Sequence, residues 1–429
     1  MGISQQKLTR REPIDAKFGN VTFGAVSFDL VCVLALMQLS YLLFQDFTWQ
    51  RFALTAILWL SVWREWRYAG WVAWKRGHDH ESAYRVCHVC RVAILSGLIS
   101  ILSVPTAIGS HSLYFALTFS VAQAIRASMF ISLADCDASS SRVRGYPLKC
   151  VAVSPIFWLV GGTVEDTNRL AWWVAATLLD LTPMLADWRL WARRESLNLD
   201  WRSVHFQFVR RYRIVVSVAL MAAATSTELS FSYITILSLQ NFIEFAGAIS
   251  ALISMLCLYF CTSISDSVGY ISQSSNTDRA VTRFFFLNGL LASGIVIAAF
   301  ANWQMIISSA QESHPTSSVL MTLGPLIFLL GSGWYKWIVY HRLPISHAAA
   351  IVVIVVPTLW QYLSPEFEVS TISIALFGVA WAEARLAKIR NVMGIHISDA
   401  SPMTDTKKCT DLVTHSKRPE DWIGNDAGK

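Results

Sequence analysis

The sequence alternates between long apolar runs and short polar linkers from about residue 23 to residue 386. A helix that crosses a bilayer needs about 20 mostly apolar residues, and twelve runs approach that length. These runs are 23–44, 52–74, 86–108, 111–134, 150–164, 170–192, 212–229, 240–262, 284–309, 318–340, 346–363 and 369–386. The fifth is short and ends in Gly161-Gly162, and the eleventh contains Pro357, so eleven helices is the alternative count. The pattern predicts an all-α, polytopic helical membrane protein.

The basic residues are distributed unevenly among the linkers. Lys and Arg follow the even-numbered runs, whereas linkers after odd-numbered runs, such as 230–239 and 310–317, are nearly free of them. Because basic loops stay on the cytosolic side of a membrane, both termini are predicted to be cytosolic. The predicted organisation is a cytosolic N-terminal segment at 1–20, a transmembrane helical domain at 21–390 and a polar, disordered cytosolic tail at 391–429.

The composition supports the membrane assignment. Apolar residues make up 54% of the 429 residues and charged residues only 15%, against about 25% charged in soluble proteins. So few charges do not cover a soluble globule, and they also exclude a disordered chain and a nucleic-acid-binding protein. The net charge of +6 follows from the basic cytosolic linkers.

Two segments suggest an internal repeat. Residues 28–37 and 212–221, which open the first and seventh runs, align without gaps and end in the same Ala-Leu-Met. Repeated halves of six helices are common in membrane transporters. Apolar helices also resemble one another by default, so a chance likeness is the alternative.

Charged residues interrupt several of the apolar runs. The second run contains Trp63-Arg64-Glu65-Trp66-Arg67, and each such charge costs about 2.5–3.5 kcal/mol at the centre of a membrane helix. Arg64 and Glu65 are therefore expected to face the bundle interior and to pair with charges on other helices. Further acids within the runs include Asp29, Asp180, Glu244 and Glu383. For any one of them, a structural ion pair is the simpler interpretation.

The tryptophans form a second pattern. Trp59, Trp63 and Trp66 fall on one stripe of the second helix, and they reach deeper than the aromatic belts that mark membrane interfaces. Indole faces at that depth can line a pocket and stabilise a cation. We therefore treat these three residues as candidate substrate-binding residues.

The motifs of soluble enzymes do not occur in the chain. It contains no P-loop, GxGxxG, HExxH, GxSxG or aspartate-rich DDxxD sequence. Cys87 and Cys90 form a single CxxC pair without a second pair, which is a weak signal for zinc. No metal and no cofactor are expected.

Several of these features resemble the low temperature requirement A family of membrane proteins. The resemblance rests on Phe28-Asp29-Leu30-Val31, Gln38-Leu39-Ser40, Asp46-Phe47-Thr48-Trp49 and the Trp-rich second run. It continues at His205, at Arg211-Tyr212 and at Trp381-Ala382-Glu383. The chain differs from the family at Ala25, where a Glu is usual, and in the charges of its second run.

The fungal branch of this resemblance includes membrane terpene cyclases that close the farnesyl chain of prenylated polyketides. It implies a lipophilic prenylated aromatic or epoxide as substrate, the bilayer as surroundings and no nucleic-acid partner. A protonation-initiated cyclase needs a buried neutral acid and aromatic faces that shelter a carbocation. Asp29 or Glu65 would be the proton donor, beside Trp59, Trp63 and Trp66. Arg64 would tune the acid, and an Arg64–Glu65 pair would favour Asp29 as donor.

Two other functions stay open at this point. Twelve helices, a possible repeat and intramembrane charges also fit a transporter or channel of unknown substrate. A membrane scaffold without catalytic activity is the third reading, and it predicts that the acids are replaceable. A eukaryotic chain of this type is expected in the endoplasmic reticulum.

Overall fold

The computed structural model describes most of the apolar part of the chain. The described residues are 23–45, 48–78, 94–109, 111–134, 145–191, 201–234, 238–260, 264–274, 277–308, 315–341, 344–359 and 364–392. Within these ranges the chain is helical and contains no strand, which confirms the all-α class. The predicted N-terminal segment at 1–20 and all but the first two residues of the predicted tail lie outside the described residues.

A helix is present at each of the twelve predicted positions. The first six are α1 (Phe23–Gln45), α2 (Trp49–His78), α3 (94–102), α4 (Ser112–Ala134), α5 (Gly145–Thr163) and α6 (Asp166–Trp191). The remainder are α7 (Trp201–Ser232), α8 (Leu239–Phe260), α9 (Ile264–Gln273), α10 (Thr277–Ser308), α11 (Pro315–Tyr340), α12 (Ile345–Leu359) and α13 (Pro365–Val392). The short α9 lies in a stretch that the sequence pattern treated as a linker.

Five of these helices are long and apolar enough to cross a membrane by length and composition alone. They contain the segments Phe208–Ser232, Leu239–Phe260, Arg279–Ile307, Val319–Tyr340 and Pro365–Lys388. Shorter apolar helical segments occur within α1, α4, α5 and α12. Together they support a polytopic integral membrane protein.

The helices pack as two groups that meet along a seam. In the first half, α4 and α6 pack against α5, and α2 contacts both α1 and α6. In the second half, α10 packs on α7 and α11, while α13 packs on α8 and α12. The principal contacts across the seam join α1 and α2 to α7 and α10. The seam therefore separates α1–α6 from α7–α13, as two repeated halves would require.

The two aligned segments occupy matching places at this seam, because α1 and α7 contact each other. The positions buried in both are Phe28 with Tyr212, Cys32 with Val216, Ala35 with Ala219 and Leu36 with Leu220. Each helix thus buries one stripe at helical spacing. This shared pattern fits the proposed repeat, although any pair of packed helices has a buried stripe.

Glycines allow the closest helix contacts. A Cβ atom on Gly324 of α11 would lie 2.5 Å from the backbone nitrogen of Ala298 on α10. A Cβ atom on Gly162 of α5 would lie 2.4 Å from the Cβ of Ala116 on α4. Small residues let membrane helices approach closely. The Gly161-Gly162 pair therefore acts in packing, and α5 continues through it to Thr163.

Candidate functional site

Asp29 lies at the seam and joins three helices. Its side chain is fully buried, and its Oδ1 accepts hydrogen bonds from Arg211 Nη2 on α7 and from Trp66 Nε1 on α2, each at 2.5 Å. Among the described residues, Oδ2 has no hydrogen-bond partner. We call Asp29, Trp66 and Arg211 the seam cluster. It is an ion pair within the membrane, braced by an indole.

The three candidate tryptophans form one stack beside this pair. The ring centroids of Trp59 and Trp63 are 5.8 Å apart, and those of Trp63 and Trp66 are 4.8 Å apart, with nearly parallel planes. Spacings of four and three residues place all three on one face of α2. Trp63 Nε1 donates a hydrogen bond to the Phe285 carbonyl on α10 at 2.9 Å. The stack therefore contacts the second half across the seam through this hydrogen bond, as Asp29 does through Arg211.

The cation that lies against the indole stack is a side chain of the protein, the guanidinium of Arg211. The Arg211 guanidinium carbon is 4.7 Å from the centroid of the Trp66 ring. Such a contact is worth about 0.5–2 kcal/mol, and most where water is excluded. Trp66 therefore holds both members of the ion pair, Asp29 through its N–H group and Arg211 through its ring face.

Arg64 and Glu65 belong to a separate cluster in the first half. Arg64 Nη1 lies 2.7 Å from Asp180 Oδ2 on α6, and Arg64 Nη2 lies 2.9 Å from Glu65 Oε1. Asp180 Oδ2 also accepts hydrogen bonds from Gln123 on α4 and Trp158 on α5, at 2.8 and 3.1 Å. We call these five residues the first-half cluster. It joins α2, α4, α5 and α6.

This cluster matches the expected pairing of the charges in α2. Arg64 pairs with Asp180 on another helix, as the cost of an isolated charge in a membrane requires. Glu65 pairs with Arg64 on its own helix, so the two charges of α2 and Asp180 form one connected group.

A third cluster lies in the second half. Lys336 Nζ on α11 forms an ion pair with Glu383 Oε2 on α13. His347 on α12 lies 3.8 Å from Glu383 Oε1 through Nδ1, and its Nε2 is 3.1 Å from Ser332 Oγ. The sequence reasoning singled out Glu383 but missed Lys336 and His347. Both are ionisable residues within apolar runs, 318–340 and 346–363, which is the signal that drew attention to Arg64.

The structure therefore divides the candidate site residues between two places. Asp29, Trp63 and Trp66 come together at the seam, with Trp59 at the outer end of the stack. Arg64 and Glu65 lie in the first-half cluster, although both are next to Trp66 or Trp63 in the sequence. Adjacent helical residues point about 100° apart, so the charged and aromatic faces of α2 serve different neighbours. Arg211, the partner of Asp29, enters the sequence analysis through the resemblance at Arg211-Tyr212, and its pairing with Asp29 is not predicted there.

Two cavities help to judge what these groups can do. One of about 40 Å³ is bordered by Tyr212, Arg213 and Asn288 on the second-half side of the seam. A second, of about 360 Å³, is an apolar groove on the outer face between α8 and α13, lined by Phe242, Phe245 and Phe377. Neither is lined by Asp29 or Glu65. Within the described residues, no group of three His, Cys, Asp or Glu side chains converges as a metal site would require.

The helical architecture and the charged clusters define a polytopic integral membrane protein with ion pairs inside its helical bundle. Residues 21–382 match the family described as bacterial low temperature requirement A protein (LtrA), and the chain belongs to this family. It is similar to the uncharacterized protein RA0937 of Rhizobium meliloti (strain 1021), with 23% identity over 77% of this chain and 80% of the relative. No solved structure matches the chain.

Proposed function

We propose that this protein is a membrane transporter for a lipophilic small molecule that carries a carboxylate. In this proposal the Asp29–Arg211 pair is the binding site, where the carboxylate of the cargo replaces Asp29 on Arg211. The observation that carries the proposal is the position of this pair. It joins α1 to α7 across the seam between two halves, where transporters built from repeats bind their cargo.

The chemistry of the pair suggests how cargo and proton are coupled. Movement of one half against the other separates Asp29 from Arg211, and an unpaired guanidinium in the membrane is costly. A carboxylate on the cargo can replace Asp29 on Arg211, provided that Asp29 first accepts a proton. Asp29 Oδ2, which has no hydrogen-bond partner among the described residues, is the atom that would take it. One proton then moves with each anion, and both leave when the original pair re-forms.

The indole stack supplies the apolar part of such a site. Trp63 and Trp66 lie beside Asp29 with their rings stacked, and a prenyl chain or aromatic ring packs favourably on such faces. Trp59 extends the stack along α2. In a eukaryotic cell we expect the protein in the endoplasmic reticulum membrane.

The test uses the full chain in proteoliposomes and a radiolabelled farnesylated hydroxybenzoic acid as the probe. With the outside more acidic than the inside, we expect initial uptake several times faster than in protein-free vesicles. Asp29→Asn should reduce uptake to the protein-free rate, whereas Glu228→Gln, at an exposed acid of α7, should not change it. Uptake that is equal with and without protein, or equal in Asp29→Asn, contradicts the proposal.

A membrane terpene cyclase is the second candidate, and one observation favours it. The unpartnered Oδ2 of Asp29 lies beside stacked indoles, which is the combination that alkene protonation requires. The size of the enclosed space places it second. A cyclase must fold its substrate inside a closed chamber, and the cavity bordered by Tyr212 holds only about 40 Å³, whereas ligand pockets usually hold about 300–1,000 Å³. The proposed carrier opens its site by moving one half against the other.

The same vesicles distinguish the two functions. A cyclase converts the farnesylated probe, or its epoxide, into an isomer of unchanged mass that mass spectrometry separates by retention time. A transporter returns the probe unaltered from the vesicle interior. Formation of the isomer, abolished in Asp29→Asn, would replace the transport proposal with the cyclase.

A further inference from the structure

The small cavity beside the seam has a polar lining that the proposed transport step does not use. Its polar members come from five helices and are Tyr212, Arg213, Tyr259, Ser267, Asn288, Ser332 and Tyr335. Its volume of about 40 Å³ is room for about three water molecules, since one water needs at least about 10–15 Å³. A single ion of the size of chloride or bromide fits the same space.

Arg213 gives this cavity a positive charge for which the described part of the chain supplies no carboxylate. Arg64, Arg211 and Lys336 each pair with a carboxylate in the bundle. Arg213 has no carboxylate within ion-pair distance among the described residues, and its guanidinium carbon lies 4.7 Å from the Phe260 ring centroid. Arg213 is partly buried, and taking a guanidinium out of water is costly unless a counter-charge accompanies it. In this cavity the counter-charge is left for a ligand to supply.

The other lining groups are able to donate hydrogen bonds into the cavity. The Tyr212 hydroxyl is buried and has no hydrogen-bond partner among the described residues. Ser267 and Tyr335 share one hydrogen bond, which fixes their two hydroxyls against each other at the cavity wall. Asn288 Nδ2 donates one hydrogen to the Phe284 carbonyl at 2.8 Å, and its second hydrogen is available.

The hydrogen-bond donors and acceptors that line the cavity indicate whether its ligand is a cation or an anion. The Asn288 oxygen already accepts a hydrogen bond from Tyr259 at 3.3 Å, and no carboxylate lines the cavity. A cation would find one guanidinium and no anionic oxygen. An anion would find that guanidinium and the donors of Tyr212 and Asn288, and hydrogen bonds to a charged acceptor are the stronger ones.

We propose that this cavity binds one small inorganic anion of halide size, with Arg213 as the charge partner and the Tyr212 hydroxyl as a hydrogen-bond donor. The site does not depend on the transport proposal, because it concerns equilibrium binding to a different set of atoms. Because residues of α7, α8 and α10 line the cavity, a bound halide would stabilise the packing of these three helices.

The test measures bromide binding to the purified full chain. In detergent, with sodium gluconate replaced stepwise by sodium bromide, we expect a saturable rise in the melting temperature. Arg213→Gln should weaken the apparent affinity at least tenfold. Tyr212→Phe should weaken it about two- to tenfold, the usual value of one hydrogen bond. Arg283→Gln, at an exposed arginine of α10, should leave it unchanged.

Crystals grown in bromide locate the ion independently of any variant's folding. We expect an anomalous peak in the cavity, within about 3.5 Å of the Arg213 guanidinium and the Tyr212 hydroxyl. A peak only on the protein surface, or a melting temperature that does not depend on bromide, overturns the proposal. Retention of the bromide effect in Arg213→Gln also overturns it.

Discussion

The seam cluster and the first-half cluster contain the same three chemical groups. In one, Asp29 pairs with Arg211 and accepts a hydrogen bond from Trp66. In the other, Asp180 pairs with Arg64 and accepts a hydrogen bond from Trp158. The first joins helices from different halves, whereas the second joins helices within one half. The same chemistry therefore joins the two halves in one place and helices of a single half in the other, and only the first contact would change in the proposed transport.

The surroundings of the two carboxylates strengthen this contrast. Asp180 has an additional amide donor in Gln123, and Arg64 has a second carboxylate in Glu65. Each extra bond makes separation of that pair less favourable, because hydrogen bonds to charged groups are worth about 1.5–3 kcal/mol each. Asp29 depends on two donors only among the described residues. Of the two pairs, the one at the seam is thus the easier to open.

The largest effect is expected from breaking the seam pair. Asp29→Asn leaves Arg211 without its carboxylate, and removal of one partner of a buried pair costs about 3–5 kcal/mol. The free energy of unfolding, measured by SDS titration in mixed micelles, should fall by that amount, and uptake should fall to the protein-free rate. The double exchange of Asp29→Arg with Arg211→Asp should recover stability but not uptake. Recovery of both would mean that the pair only holds the halves together.

The corresponding change in the first half should affect stability alone. Asp180→Asn removes one of two carboxylates on Arg64, so we expect a loss of up to about 3 kcal/mol, at the lower end of the range for a broken buried pair. Uptake per folded molecule should equal that of the unaltered chain. Loss of uptake in a folded Asp180→Asn protein would contradict the division between a movable and a fixed pair.

Replacing one tryptophan in each cluster compares the hydrogen bonds that the two carboxylates accept. Trp66→Phe and Trp158→Phe each remove one hydrogen bond to a carboxylate, which costs about 1.5–3 kcal/mol. We expect similar losses of unfolding free energy from both. Only Trp66→Phe should change the dependence of uptake on external pH, since only Trp66 contacts the carboxylate that exchanges the proton. Identical uptake profiles for the two variants would argue against that role.

The smallest effect is expected at Glu65. Glu65→Gln leaves Arg64 paired with Asp180, and its amide oxygen can still accept a hydrogen bond from Arg64, so the loss should be about 1 kcal/mol. Uptake should be retained. If the farnesylated probe is instead cyclised, and Glu65→Gln abolishes that conversion, Glu65 is the proton donor of a cyclase.

The helices could be predicted from the sequence because a bilayer imposes a minimum apolar length. The helix α9, Ile264–Gln273, was not predicted, because ten residues of mixed polarity are too few for that rule. Charges inside apolar runs drew attention to Asp29, Arg64 and Asp180. Their pairing could not be predicted, because sequence spacing does not tell which helix faces which. The Trp63 bond to the Phe285 carbonyl could not be predicted either, since a main-chain acceptor leaves no trace in the sequence.

The distance along the chain between Asp29 and Arg211 has a consequence for biosynthesis. The two residues are 182 positions apart, and ribosomes add about 5–20 residues per second. Asp29 is therefore synthesised roughly 10–40 s before Arg211. During that interval the aspartate is either neutralised by a proton or held by the insertion machinery. Slowed or truncated synthesis before α7 should consequently leave a fragment that is recognised for degradation.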